Sequence, residues 1–143
     1  MERILKFRGK NIHTGEWLYG DYHREGKTHY ITKPGDFLRE YAPIEFIVDG
    51  KTVGQFTGLH DKNGKGIYEG DVLRSPLGNV VIVKFGYKEH IVKHDIFTDS
   101  FAAYGWIVEN VKNGITDFLD NEFLQGEVVG NIHDNPSLIS DKQ

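Results

Sequence analysis

The stretch that most constrains the fold is residues 52–71, TVGQFTGLHDKNGKGIYEGD, in which a polar turn separates two strand-like segments. Its centre is Asn63-Gly64, a strong hairpin signal, because both central residues of the favoured two-residue turn require φ > 0. The pattern predicts a strand over residues 52–59, a type I′ turn capped by Asp61, and a second strand from Ile67.

The rest of the chain repeats this design of short strands between turn residues, which predicts a mainly β fold. We expect residues 1–143 to form a single domain of antiparallel hairpins, with residues 137–143 as a loose tail. Residues 44–48 are expected to pair with residues 52–59 through an Asp49-Gly50 hairpin.

The second half of the chain yields three further expectations. Residues 80–85 are nearly all apolar, which predicts the most buried strand, followed by a turn at residues 86–88. Residues 90–97 and 101–111 are then expected to form separate strands. Apolar residues near helical spacing in residues 115–124 predict the only helix, with Thr116 as its N-cap.

Composition limits the classes of function. The chain has no cysteine, which excludes disulfides, thiol catalysis and cysteine metal ligands. The net charge is −4, and residues 72–143, with six basic and ten acidic side chains, carry the acidic excess. A nucleic-acid binder usually has a basic balance. No signal peptide or membrane-spanning apolar run is found, so we expect a cytoplasmic protein without a membrane partner.

One N-terminal surface nevertheless has the composition of a binding site, because basic and aromatic residues alternate there. Its members are Lys6, Arg8, Lys10, Trp17, Tyr19 and Tyr22. Rings beside cationic side chains can hold single-stranded nucleic acid by stacking and charge. Aromatic residues at alternate strand positions also form cores and oligomer interfaces, and the acidic total favours this second interpretation.

The polar turn resembles a calcium loop only at its start. Lys65 stands at the fifth position, and Val72 stands at the twelfth, where a bidentate glutamate belongs. We therefore interpret Asp61, Asn63 and Gly64 as turn residues, and Gly70 and Asp71 as the structural entry to the next strand.

Other candidate sites are weak. His90 and His94 have zinc-helix spacing, but in a strand they would lie about 13 Å apart. Glu69 and Asp71 would share one strand face as a carboxylate pair, although a solvated edge is the simpler interpretation. His13, His60 and His133 are isolated, and no nucleophile motif surrounds Ser75, Ser100 or Ser137. We expect no metal or cofactor, and a non-enzyme is favoured.

Three blocks of the chain resemble the YopX-like family of bacteriophage and prophage proteins. They are KFRGK with GEWLYGD (residues 6–10 and 15–21), TVGQFTGL with DKNG and IYEGDV (52–59, 61–64 and 67–72), and EVVGNIHDNP (127–136). The similarity fades over residues 86–124, which indicates a variable insertion. Residues 67–85 are also similar to the paired strands of an SH3-like, partly open barrel.

The resemblance implies an intracellular phage or prophage protein of mainly β fold, and it implies no reaction. The function we expect is that of an accessory protein acting through protein contacts or self-association. The alternative is a nucleic-acid-binding module that uses the N-terminal basic and aromatic surface.

Overall fold

The computed structural model describes residues 5–33 and 44–140. Within these ranges the chain forms eleven β-strands and two four-residue α-helices, which confirms the prediction of a mainly β protein. The described residues belong to two compact units, one that ends at Leu59 and one that begins at His60. The single-domain expectation stays a prediction.

The first unit contains one antiparallel sheet. Its strands are β1 (Phe7–Lys10), β2 (Trp17–Glu25), β3 (Thr28–Thr32), β4 (Ile47–Val48) and β5 (Gly54–His60). They are arranged in the order β4-β3-β2-β1-β5. The β2–β3 hairpin turns at Gly26, whose φ of 61° allows Glu25 to pair with Thr28. Ile31, Val48 and Phe56 are buried in this unit.

The predicted hairpin at Asp49-Gly50 is wrong. β4 pairs with β3, β5 pairs with β1, and residues Gly50–Thr52 form a 3₁₀ turn between them. The Asp49 carboxylate accepts from the Lys51 backbone N–H at 3.0 Å, and the Asp49 carbonyl accepts from the Thr52 hydroxyl at 2.6 Å. These bonds stabilise a capped 3₁₀ turn, so the chain does not fold back on β4, and β5 pairs with β1 instead.

The second unit contains an antiparallel sheet with the order β10-β9-β8-β7-β11. Its strands are β7 (Asp71–Arg74), β8 (Val80–Lys93), β9 (Thr98–Asn110), β10 (Thr116–Phe118) and β11 (Glu127–Asn131), and β6 (Gly66–Tyr68) precedes them in the chain. The core of the unit is formed by Ile67, Val72, Leu73, Val81, Val83, Val108 and Phe123. Among the described residues, neither sheet closes into a barrel, and the SH3-like detail stays a prediction.

Residues 80–85 are less buried than expected. Val81 and Val83 are buried, but Lys84 and Phe85 are exposed. The first three residues of β7 are all buried, so the expectation that residues 80–85 form the most buried strand is wrong. The predicted turn at residues 86–88 is also wrong, because β8 continues unbroken to Lys93. Gly86 is a packing residue here: a Cβ at this position would lie 3.1 Å from Ile107 Cδ1 on the neighbouring strand.

The helix expected over residues 115–124 is largely a strand and a loop. Thr116 begins β10 and is therefore not an N-cap; α1 (Asn121–Leu124) is a single turn that follows Asp120. The Asn110 N–H donates to the Ile115 carbonyl at 2.9 Å, which holds this segment against β9. A second short helix, α2 (Ser137–Ser140), forms in the expected tail, and residues 141–143 lie outside the described part.

Candidate contact surfaces

Five of the six predicted N-terminal surface residues meet on one face of the β1–β2 pair. We call Lys6, Arg8, Lys10, Trp17 and Tyr19 the cation–aromatic cluster. Arg8 pairs with Tyr19 and Lys10 pairs with Trp17 across the two strands, which places all four side chains on the same face.

Each aromatic ring of the cluster lies beneath a cationic side chain. The Arg8 guanidinium carbon is 4.6 Å and the Lys10 Nζ is 5.8 Å from the centre of the Trp17 ring. The Lys6 Nζ lies 5.7 Å from the centre of the Tyr19 ring. Such contacts are favourable by about 0.5–2 kcal/mol, more where water is excluded.

Burial limits what the cluster can bind. Arg8 is only 5% exposed and Trp17 is half-buried, whereas Lys6 and Tyr19 are exposed. A phosphate in solution would therefore reach the Lys6–Tyr19 end of the cluster, while the Arg8–Trp17 stack acts mainly as packing.

Tyr22, the sixth predicted surface residue, faces the other side of the sheet. Its ring lies 5.7 Å from Phe7, which alternates with Arg8 along β1, and stacks at 5.9 Å on His29. The Tyr22 hydroxyl and His29 Nδ1 are hydrogen-bonded at 2.7 Å. The structure thus separates Tyr22 from the cluster.

The polar turn around Asn63-Gly64 is real, but its type differs from the prediction. Glycines are the only described residues with positive φ, so Asn63 has negative φ and a type I′ turn is excluded. The Gly64 N–H donates to the Asp61 carbonyl at 3.0 Å, and Gly64 has a φ of 81°. This is a three-residue loop, in which an αL glycine follows a type I-like turn.

Asp61 holds the turn together from inside. It is 6% exposed, and its carboxylate accepts at 2.9 Å from each of the backbone N–H groups of Asn63, Lys65 and Val128. Burial by itself would raise the pKa of this carboxyl, but these three N–H donors and the nearby Lys65 charge hold it below the usual value. The carboxylate is engaged in structure, and the described residues contain no group of three His, Asp or Glu suited to a metal.

Glu69 and Asp71 do not lie on one strand as expected. Glu69 and Gly70 form the turn between β6 and β7, with a φ of 91° at Gly70, and Asp71 is the first residue of β7. Asp71 is 1% exposed, and its Oδ2 accepts from the Tyr68 N–H at 2.8 Å. Gly70 and Asp71 therefore form the entry to β7, but Asp71 is buried, so the interpretation of this carboxylate as part of a solvated edge is wrong.

The histidine and serine candidates occupy ordinary structural positions. His94 follows the end of β8 and stacks on Phe97 at 4.2 Å, and the side chain of His90 lies outside the described part. Ser75 is buried, and its hydroxyl accepts from the Asn79 N–H in a turn. Ser100 lies within β9, and Ser137 begins α2.

Among the described residues, six exposed large apolar side chains lie on the long β8–β9 hairpin, and the sequence did not indicate this surface. We call residues 84–106 the ribbon. Phe85 pairs with Trp106 and Tyr87 with Tyr104, and their rings lie 5.2 and 5.3 Å apart on one face. Tyr104 is 75% exposed. Alternate apolar residues running through 86–88 are the signal that would have indicated a continuous strand.

The ribbon is a two-stranded structure for most of its length. β7 pairs with β8 only at residues 80–82, and β10 pairs with β9 only at residues 107–109. Among the described residues, no third strand pairs with residues 84–106. The side chains of Phe85, Tyr87, Ile91, Ile96, Phe97 and Tyr104 are all exposed.

These features define a mainly β protein made of antiparallel sheets, with an exposed aromatic ribbon in one unit and a partly buried cation–aromatic cluster in the other. In the described part of the chain, no helix is both long and apolar enough to span a membrane.

The model of the YopX protein family matches residues 6–140, and the chain belongs to this family. A search of curated proteins returned no match. Among solved structures, the chain is similar to the crystal structure of protein EF1440 from Enterococcus faecalis. The two share 22% identity over 96% of this chain and 99% of that one, with a TM-score of 0.42. The variable insertion over residues 86–124 stays a prediction.

Proposed function

We propose that this chain is a phage- or prophage-encoded cytoplasmic accessory protein that works through protein contacts, with the ribbon as its contact surface. Membership of the YopX family and the three motif blocks support the proposed origin. The exposed aromatic ribbon is the observation that carries the proposed mode of action.

The ribbon has the properties of a surface that is covered in the working state. An isolated two-stranded hairpin is marginally stable in water, and three or more strands or a packed face are normally needed. The ribbon nevertheless exposes large apolar side chains, including Tyr104 and Ile96. Contiguous exposed apolar patches on soluble proteins usually mark interaction sites.

The charge of the ribbon favours a protein partner over a nucleic-acid partner. Residues 84–106 contain three lysines and three acidic residues, so the ribbon has no basic excess with which to bind phosphates. Aromatic residues are enriched at the centres of protein interfaces, where charged residues are depleted.

Site-specific crosslinking tests this proposal. Tyr104 is replaced by a photo-crosslinking phenylalanine analogue in cells that carry the phage or prophage, and crosslinked products are identified by mass spectrometry. We expect a protein adduct at position 104 and none at position 115. Ile115 is the control because it is also exposed, 66% against 75% for Tyr104, but lies outside the ribbon. Absence of any protein adduct at positions 87, 91 and 104 would contradict the proposed function.

The proposed origin has a separate test. The gene is expected to lie among phage replication or structural genes, in a block that is absent from related uninfected strains. A location among housekeeping genes in all strains would remove the phage or prophage part of the proposal.

Nucleic-acid binding is the second candidate, and the cation–aromatic cluster is the observation that favours it. Lys6 beside the exposed Tyr19 ring has the geometry of a stacking platform with a phosphate contact. Fluorescence polarisation with single- and double-stranded oligonucleotides across a salt series tests it. Affinity that falls with salt and is lost in Lys6→Glu would support it, and salt-independent or absent binding would exclude it.

A further inference from the structure

We infer that the ribbon docks face to face on the ribbon of a second copy of this chain, antiparallel, with Ile91 of each copy at the twofold axis. This inference rests on the proposed function, since it names the partner that covers the ribbon. An isologous dimer requires a surface that is complementary to itself, and the ribbon face has that property in three respects.

The first respect is the position of the apolar groups along the ribbon. Odd-numbered residues of β8 share the face that carries Phe85 and Tyr87, so Ile91 lies on that face and pairs with Ser100. The Tyr87–Tyr104 pair lies four residues before Ile91, and Ile96 lies in the turn five residues after it.

The chain reverses at Asp95 and Ile96, because the His94 N–H donates to the Phe97 carbonyl, so Ile96 lies about four strand positions beyond Ile91. The two groups are therefore about equally far from Ile91, roughly 13 Å at the rise of a β-strand. A twofold axis at Ile91 places Ile96 of one copy on the Tyr87–Tyr104 pair of the other. Ile96 is 92% exposed, so its side chain is available for that contact.

The second respect is charge. Glu89 and Lys93 are exposed, lie two residues to either side of Ile91, and share its face. The same axis brings Glu89 of one copy opposite Lys93 of the other, twice in each dimer. Both charges lie between the apolar groups, inside the contact, where like charges would repel strongly, so their pairing fixes the register of the two ribbons.

The third respect is area. Ile91 is 55% exposed, and with Tyr87, Ile96 and Tyr104 it offers roughly 500 Å² of exposed surface, given the usual size of such side chains. Two such faces bury roughly 1,000 Å² in total, which is near the lower limit for a specific interface. We therefore expect a weak dimer, with a Kd in the micromolar range.

Opposite charges introduced at the axis test the arrangement. Sedimentation equilibrium is measured for the full chain, for Ile91→Lys, for Ile91→Glu and for their equimolar mixture, from about 1 µM to 1 mM. Each variant alone should have a Kd at least about tenfold above that of the original chain, because like charges meet at the axis. The mixture should form a 1:1 heterodimer, since lysine then meets glutamate. Ile115→Lys, at an exposed position outside the ribbon, should dimerise normally.

Every other outcome overturns the inference. A monomeric original chain at 1 mM would show that the ribbon does not bind its own copy, whereas adducts with another protein at position 104 would leave the proposed function standing. A dimer that Ile91→Lys does not weaken would use a different surface. If both variants dimerise weakly and their mixture also fails to dimerise, Ile91 lies in an interface but away from its twofold axis.

Discussion

At the scale of single residues, Asp61 shows how one carboxylate organises a turn and joins it to a distant strand. Its two oxygens accept three backbone N–H groups, and that of Val128 lies 67 residues along the chain. Sequence reasoning identified the cap within the turn, but no local pattern indicates the bond to Val128. A buried carboxylate with this many donors is charged and held in one place.

Replacing Asp61 by Asn should lower the free energy of unfolding of the second unit by about 1–3 kcal/mol. The amide group cannot accept on its nitrogen side, so at least one buried N–H loses its acceptor. Urea unfolding of the two proteins measures the difference. Asp95→Asn, at an exposed position in the ribbon, is the control and should be neutral; an equal loss in both variants would contradict the explanation.

The same carboxylate should make stability depend on pH in a defined direction. Because the pKa of Asp61 is lower in the folded state, its contribution is complete above the unfolded-state value of about 3.9. The contribution is lost as the pH falls through the lower folded-state value. The stability difference between the original chain and Asp61→Asn should therefore be constant near neutral pH and shrink below about pH 4. Urea unfolding at several pH values measures it, and a difference that grows on acidification would contradict the assignment.

Whether a strand position requires glycine depends on whether neighbouring atoms leave room for a Cβ. A Cβ on Gly20 in β2 would lie only 2.1 Å from the Thr32 carbonyl oxygen, whereas a Cβ on Gly105 in β9 would meet nothing within 4 Å. Gly20→Ala should therefore destabilise the first unit by about 1–3 kcal/mol through overpacking, and Gly105→Ala should be neutral or slightly stabilising. Thermal unfolding monitored by circular dichroism compares the pair, and an equally stable Gly20→Ala would show that β2 can shift away from β3.

At the scale of elements, the sequence predicted strands more reliably than their partners. Gly26 supplies a local turn signal for the β2–β3 hairpin, and of the strand predicted over residues 52–59, residues 54–59 belong to β5. The Asp49-Gly50 turn also carries a strong local signal, yet side-chain bonds there direct β4 to β3. The local sequence indicates that the chain turns, but the choice of partner strand depends on bonds between distant residues.

The ribbon illustrates the same limit. Gly86 resembles a turn residue in the sequence, but it lies opposite Gly105 in a continuous ladder from Val81–Asn110 to Lys93–Thr98. Ile107 Cδ1 occupies the space that a side chain would need. A glycine that accommodates a neighbouring side chain and a glycine that makes a turn are identical in sequence. The exposed aromatic pairs beyond it were missed for this reason.

Hydrogen exchange should distinguish the ribbon from the rest of β8 and β9. In Ile91→Lys, backbone amides of residues 87–104 should exchange much faster than those of residues 80–83, because no third strand of the described chain pairs with residues 87–104 and a two-stranded segment opens easily. In the original chain at high concentration, the same amides should become protected. Mass spectrometry of exchanged peptides makes the comparison, and equal protection of both segments in the variant would contradict a marginal ribbon.

At the scale of the whole molecule, buried side chains and exposed surfaces lie in different parts of β8 and β9. Val81, Val83 and Val108 lie in the core of the second unit, whereas the aromatic residues at positions 85–106 are mostly exposed. The net charge of −4 and the balanced charge of the ribbon agree with the proposed use of the ribbon as a protein-contact surface. Core packing and the proposed contact surface therefore use different residues of the same two strands.

This separation predicts that the ribbon can be removed without unfolding the protein. Gly86 and Gly105 are paired, so deleting residues 87–104 and joining the strand ends through Asn-Gly leaves a closed hairpin between shortened strands. The truncated chain should keep its β circular dichroism and unfold within a few degrees of the original, because the deleted side chains are mostly exposed. It should be monomeric at every concentration and give no crosslinks. A truncated chain that does not fold would show that the ribbon supports the core, and one that still dimerises would place the self-contact elsewhere.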